Sequence, residues 1–172
     1  MNRRTRSLGL LGALAAACTG ALAQTGGGGQ VPSEQTPVSG WRTSCAAAER
    51  AGPLDCALEQ RAFVAQTGQL LVRVTVRVDG KERKPALMIQ LPLGLHLPAG
   101  VELRIDEHKP EPLGLQMCDA AGCYAGMALS DAFLARLNGG RQLLISFEDP
   151  SKRRVNVTMP LQGFSEGLKK VR

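Results

Sequence analysis

The stretch that decides the fold is LLVRVTVRV, residues 70–78. Valine occurs at every second position, and arginine and threonine occupy the positions between the valines. Successive side chains of a β-strand point to opposite sides, so this alternation is typical of a strand with one buried face and one polar face. The valine face is therefore expected in the core of a sheet protein.

Similar short apolar segments, separated by turn residues, continue along the chain. Only 130–137, which begins with a capping serine and ends before a glycine pair, and 165–171 look helical. Many short strands without regular strand–helix alternation predict an all-β antiparallel sandwich or barrel with one or two short helices. The predicted strands are 41–45, 54–63, 70–78, 85–91, 101–106, 113–118, 123–129, 142–147 and 155–159.

The first 23 residues have the features of a cleaved secretory signal peptide. A basic start at residues 3–6 precedes an apolar run too short to span a bilayer, and 21–23 (ALA) is a typical cleavage site. Cleavage there leaves about 149 residues, enough for one domain with its own core. The general secretory route would deliver this mature chain to the periplasm or cell envelope.

An alternative at the same end stays open. Residues 14–18 (LAAAC) resemble a lipoprotein cleavage box, in which Cys18 would be lipidated and would tether the protein. Residues 24–40 are rich in Gly, Pro and Ser and are predicted to form a flexible tether. The folded domain is then expected to cover 41–172, beginning at Trp41.

Composition narrows the partners of the mature chain. Loss of the three signal arginines lowers the formal charge from +6 to +3, and only 3% of residues are aromatic. So few rings to stack bases argue against nucleic-acid binding. No other apolar run reaches bilayer length, so no transmembrane segment is expected. The basic residues at 152–154 predict at most a weak contact with anionic surfaces.

Four cysteines remain after cleavage: Cys45, Cys56, Cys118 and Cys123. Export favours disulfides, and four cysteines permit three pairings. The local pairing, first with second and third with fourth, is favoured because each couple flanks a short connection that contains glycine. Zinc sites need tighter spacing and redox couples need C-x-x-C, so the cysteines are predicted to be structural, without metal or cofactor.

The sequence contains two candidate histidine bases. His96 lies between prolines on an apolar stretch, and His108 lies in a charged turn after a predicted strand. Neither belongs to a recognised catalytic motif. A pair of catalytic carboxylates can be distant along a chain, so a periplasmic hydrolase stays open as the alternative to a noncatalytic protein.

A series of residues and motifs follows one order along the chain: Trp41, Cys45, Cys56, Gln60, LLVRVTV, 91–107 (LPLGLHLPAGVELRIDE), Cys118, Gly122, Cys123, Met127 and 155–164 (VNVTMPLQGF). This series resembles the invasion-associated locus B family of bacterial envelope proteins. The resemblance implies an exported, noncatalytic immunoglobulin-like β-sandwich. Its role would be binding or envelope maintenance, with an envelope or host protein as partner and a role in invasion for some members.

The segment 91–100 (LPLGLHLPAG) has prolines and glycines on both sides of Leu95 and Leu97. This spacing predicts an apolar crossing between two sheets that ends in a turn. Clustered leucines in a small sandwich are normally buried, so a buried corner is favoured over an exposed apolar lip.

Overall fold

The structure is a computed structural model that describes residues 38–47, 49–50, 52, 54–79 and 84–171. The predicted signal peptide, Cys18 and most of the predicted tether lie outside these residues. The fold described below concerns the domain alone.

Within the described ranges the chain forms ten strands and two α-helices, with a short 3₁₀ helix at Leu97–Ala99. The helices are α1 (Asp131–Gly139) and α2 (Phe164–Val171). The strands are β1 (Arg42–Ala47), β2 (Leu54–Phe63), β3 (Leu70–Asp79), β4 (Lys84–Leu91), β5 (Val101–Ile105), β6 (Glu111–Leu113), β7 (Met117–Asp119), β8 (Gly122–Ala128), β9 (Gln142–Glu148) and β10 (Arg154–Pro160).

The strands form two antiparallel sheets. One has six strands in the order β1-β2-β3-β4-β8-β7, and the other has four in the order β10-β9-β5-β6. Buried residues of both sheets and both helices belong to one hydrophobic core. The predicted antiparallel β-sandwich with one or two short helices is therefore confirmed.

The stretch 70–78 lies in β3, near the middle of the six-stranded sheet. Val72, Val74 and Val76 are fully buried, as the alternation predicts, and Arg77 on the opposite face is exposed. Thr75 shares the face of Arg77 but is only 6% exposed. Thr75 lies between β2 and β4, so side chains on the outer face of the neighbouring strands cover it.

The prediction of a single strand at 113–118 is wrong, because the chain passes from one sheet to the other within these residues. β6 ends at Leu113 and pairs with β5, whereas β7 begins at Met117 and pairs with β8. Leu113 and Leu115 both pack against the core. The apolar alternation thus continues through the crossing, so the sequence pattern does not reveal the change of sheet.

Two residues that precede Trp41 contact the sheet. Val38 forms a bridge with Ala62, and the backbone of Ser39 donates to the carbonyl of Arg61 at 2.8 Å. The Ser39 hydroxyl accepts from the Arg61 amide at 2.9 Å. Val38 and Ser39, which the sequence analysis places in the tether, therefore contact β2.

The crossing from β4 to β5 contains the segment 91–100, and its leucines differ in environment. Leu95 packs against the core, as expected. Leu93 and Leu97 are 55% and 51% exposed, so the expected burial of Leu97 is wrong. The 3₁₀ turn at Leu97–Ala99 directs that leucine to the surface, so the segment is a corner with an apolar outer side.

One carbonyl joins three parts of the domain. Trp41 Nε1 and Gln60 Nε2 both donate to the carbonyl oxygen of Pro160, each at 3.0 Å. The Trp41 ring also meets the Phe164 ring edge-on, with centroids 5.0 Å apart. The start of the domain, the inner face of β2 and the end of β10 are thereby held together where α2 begins.

Both helices begin and pack for identifiable reasons. Ser130 caps α1, since its hydroxyl accepts from the Phe133 amide at 3.2 Å. Gly167 of α2 lies directly over Leu58, and any side chain at 167 would overlap it. The helix that follows Phe164 can therefore lie close against β2.

We expect Phe164→Ala to lower the free energy of unfolding by about 3–5 kcal/mol, because it empties a fully buried ring site. Trp41→Phe should cost only about 1 kcal/mol, since Gln60 still donates to the Pro160 carbonyl. Denaturant unfolding of the oxidised variants measures both values. Equal losses would contradict this account of the cluster.

Candidate functional site

An open groove of about 670 Å³ lies on the outer face of the six-stranded sheet. It crosses β2, β3, β4 and β8 and reaches the segment that precedes β7. The lining residues that define its floor and walls are Asp55, Thr75, Arg77, Met88, Gln116 and Gly126.

The floor follows from the register of three strands. Thr75 lies opposite Met88, and Met88 lies opposite Gly126 on its other side. Gly126 has no side chain, and the Gln116 side chain lies over it, with Oε1 3.3 Å from the place that a Cβ would take. Met88 remains 41% exposed. The result is an apolar floor in the middle of an otherwise polar face.

Each wall of the groove is held by specific contacts. On one side Arg77 Nη1 lies 2.9 Å from Asp55 Oδ2. On the other, the Gln116 backbone donates to the Tyr124 carbonyl at 2.8 Å, and Gln116 Nε2 donates to the Gly126 carbonyl at 2.9 Å. An ion pair and a side-chain amide therefore face each other across the apolar floor.

A disulfide lies beside each wall. Cys45 is bonded to Cys56, which directly follows Asp55. Cys118, which lies two positions after Gln116, is bonded to Cys123. Of the three pairings that four cysteines permit, the structure contains the local one. Both bonds join directly opposed residues, one pair on β1 and β2 and the other on β7 and β8. The two outermost strands of the six-stranded sheet are thus each linked covalently to their neighbour.

The turn between the second cysteine pair is fixed by the carboxylate of Asp119. Asp119 Oδ1 accepts from the Ala121 amide at 2.7 Å, from the Gly122 amide at 3.2 Å and from the Tyr124 hydroxyl at 3.3 Å. Partial burial, followed by the nearby Asp119 charge, raises the pKa of Tyr124. Gln90 Nε2 holds the same turn through the Ala121 carbonyl at 2.8 Å.

The two candidate histidines lie apart from the groove lining. His96 Nδ1 is 2.8 Å from Glu148 Oε2, and the His96 backbone donates to the Glu148 carbonyl at 3.1 Å. These contacts tie the 91–100 corner to the end of β9. The His108 backbone donates to the Ile105 carbonyl at 2.9 Å, within the turn that follows β5.

Many carboxylates hold loops or neighbouring strands. Asp106 accepts from the amides of Arg141 and Gln142, and the bond from Arg141 is the main cause of its lowered pKa. Asp149 accepts from the amides of Arg153 and Ser151, and the bond from Arg153 chiefly lowers its pKa. Further ion pairs are Glu59 with Arg61 and Arg73, Glu102 with Arg154, Glu111 with Arg136, and Glu166 with Lys169.

Two observations concern metals and membranes. No group of three His, Cys, Asp or Glu side chains in the described residues is placed to hold a metal ion. In the same part of the chain, no helix combines the length and the apolar character needed to cross a bilayer. At the basic segment 152–154, Arg153 and Arg154 are paired with Asp149 and Glu102, so the expected contact with anionic surfaces stays a prediction.

The sequence did not identify the groove. Its alternation places Thr75 and Arg77 on the outer face, but it does not reveal that β4 pairs with β8. That pairing brings Gly126 beside Met88. The available signal was the series of small outward residues on these strands: Ala86, Gly126 and Ala128.

Gly122→Ala is expected to lower the free energy of unfolding by about 2 kcal/mol or more, because Gly122 has a φ of +148° and a side chain there would overlap the Leu91 carbonyl. Gly114→Ala is the matched control, since nothing lies within 4 Å of a side chain at 114. It should change stability by less than about 1 kcal/mol. Thermal unfolding of the oxidised proteins checks both, and similar costs at the two glycines would contradict the explanation.

Comparisons with known proteins agree with the fold and identify the family of the chain. The family described as "Invasion associated locus B (IalB) protein" matches residues 41–172. Invasion protein B homologs from Brucella abortus strain 2308 and from Brucella abortus biovar 1 strain 9-941 are each 25% identical over 138 residues, which cover 80% of this chain and 78% of each relative.

A solved structure shows the same architecture. The crystal structure of invasion associated protein B from Bartonella henselae superimposes with a TM-score of 0.66 at 21% identity, covering 76% of this chain and 89% of that one. The family match spans most of the chain, including the four disulfide-bonded cysteines, Trp41, Gln60 and Phe164. The chain therefore belongs to the invasion-associated locus B family.

Proposed function

We propose that this protein is an exported, noncatalytic binding module of the cell envelope that holds a segment of a partner protein in the groove. The groove itself carries the proposal. Its volume of about 670 Å³ lies within the range of ligand sites, and its floor is an exposed methionine, a side chain that adapts to varied apolar surfaces.

The chemistry of the groove defines the segment that it would accept. Met88 offers an apolar contact at the centre, while the Arg77–Asp55 pair and the Gln116 amide provide polar contacts at the walls. An extended segment with one apolar side chain between polar groups fits this arrangement. The relatives are named for invasion, so an envelope protein or a host protein is the proposed source of the segment, and a host partner would connect this chain to invasion.

The observed contacts favour binding over hydrolysis. A glycosidase-type reaction needs two carboxyl groups that face the same cleft. Among the described residues that line the groove, Asp55 is the acidic one, and its carboxylate is paired with Arg77. The His96 ring is likewise paired with Glu148, where it joins a corner to a strand. These side chains have structural partners that support a noncatalytic role.

The cysteines support export. Disulfides persist in oxidising compartments such as the periplasm and are rare in the cytosol. Both observed bonds secure edge strands, and we propose that their role is structural. Export by the signal peptide at residues 1–23 would place the domain in the periplasm or envelope, with the segment from Gln24 as its tether.

Site-specific photocrosslinking tests the groove. We expect a photoreactive residue at Met88, in the envelope of the native organism, to give a discrete protein adduct that excess purified wild-type domain prevents. The Met88→Glu domain should compete about tenfold less well, because binding would then bury an unpaired carboxylate.

Leu93, which is 55% exposed and outside the groove lining, provides the control position for the same photoreactive residue. It should not give the Met88 adduct. Identical adducts at both positions, or equal competition by the Met88→Glu domain, would rule out the groove as the binding site.

Intact mass of the protein isolated from its own envelope tests export. We expect a chain that begins at Gln24 and weighs about 4 Da less than the fully reduced chain, because two disulfides remove four hydrogens. A lipidated chain that begins at Cys18 would support the lipoprotein alternative instead. Free thiols in the isolated protein would contradict the structural role of the cysteines.

A further inference from the structure

The strand β1 lies at one end of the six-stranded sheet, and among the described residues no strand pairs with its outer edge. Ser44, Cys45, Ala46 and Ala47 are all exposed. Proteins usually protect such edges with lysine, proline or a covering segment, because an open edge can pair with another strand. β1 (RTSCAA) contains neither lysine nor proline, and its one charged residue, Arg42, lies at its beginning.

The backbone groups on this edge can be assigned from the disulfide. The Cα atoms of Cys45 and Cys56 are 4.0 Å apart, which is typical of an opposed pair without mutual backbone hydrogen bonds. In such a pair the N–H and C=O groups point away from the partner strand. Pair types alternate along an antiparallel ladder, so Thr43, Cys45 and Ala47 direct their backbone groups to the open edge.

The edge is also ordered before any partner arrives. The disulfide to β2 fixes Cys45 at the centre of the three outward-directed residues. A strand that is already held in an extended conformation loses less conformational freedom on pairing than a flexible segment. The open edge is therefore prepared for strand addition.

We infer that the strand added to this edge is β1 of a second copy of the same chain. The two strands would run antiparallel about a twofold axis at Cys45, so that Thr43 of each copy pairs with Ala47 of the other. This arrangement forms roughly six backbone hydrogen bonds between the copies. It joins the two six-stranded sheets into one continuous sheet.

The side chains favour a second copy over an unrelated strand. In this register Ser44 lies opposite Ala46 of the other copy, so small side chains meet on the outer face. Arg42 begins β1 and Glu49 lies in the turn that follows its end, so the antiparallel register brings Arg42 of each copy to the end of the strand where Glu49 of the other lies. Arg42 and Glu49 are exposed, and neither has a side-chain partner among the described residues. Opposite charges would therefore lie near each other at both ends of the pairing.

The dimer goes beyond the groove and does not depend on it. The twofold axis of two antiparallel strands in one sheet is perpendicular to that sheet, so both outer faces point the same way. Two grooves would then be presented on one side of the dimer. A partner with repeated segments would bind both and gain affinity from the second contact.

Sedimentation analysis of the mature, oxidised protein tests the dimer between about 1 µM and about 1 mM, the range expected for a small interface. We expect a monomer–dimer equilibrium. Arg42→Glu and Glu49→Arg should each raise the dissociation constant about tenfold, because like charges then face each other twice. The double variant should restore the wild-type value to within about threefold.

A backbone variant tests the same edge independently of charge. Ala47→Pro removes an outward N–H and should abolish the dimer, whereas the matched control Ala47→Ser keeps that N–H and should dimerise normally.

Intact mass and unfolding transitions verify that each variant is folded and oxidised. A protein that stays monomeric throughout, or a dimer that neither the charge swap nor Ala47→Pro changes, would overturn the inference. Met88→Glu should leave dimerisation unchanged, which separates this result from that of the groove.

Discussion

The two cross-strand disulfides are the constraint on which the surface of this domain depends. Each joins an edge strand of the six-stranded sheet to the strand beside it, Cys45 to Cys56 on one side and Cys118 to Cys123 on the other. In the loop-entropy model, closing such short rings stabilises a domain by roughly 2–3 kcal/mol each. Edge strands have one paired side only, so this stabilisation acts where the sheet is least supported.

The core and the proposed binding surface have separate origins in the chain. The core is built from inward-facing aliphatic residues of both sheets, and the Pro160 carbonyl joins its first and last segments through Trp41 and Gln60. The groove is built from the outward-facing residues of the same strands. The face opposite the core is thus free to carry Met88 and the Arg77–Asp55 pair without weakening the packing.

The sequence predicted what depends on neighbours along the chain. Alternation identified β3 and its buried valines, and the capping serine identified the start of α1. It failed where hydropathy reveals neither the path of the backbone nor the pairing of distant strands. The alternation at 113–118 continued through a change of sheet, and Leu97 was turned outward by a 3₁₀ turn that hydropathy does not reveal. The groove could not be predicted for the same reason, since the pairing of β4 with β8 places Gly126 beside Met88.

Hydrogen exchange of the mature protein, compared before and after reduction and alkylation, tests the central role of the disulfides most directly. The account predicts faster exchange in β1 and in the segment from Gly114 to Asp119, while the amides of β3 and β9 keep their protection. Loss of protection throughout the domain would show that the disulfides hold the core itself. Unchanged exchange in the two edge strands would contradict the claim that these bonds fix the surface proposed for binding.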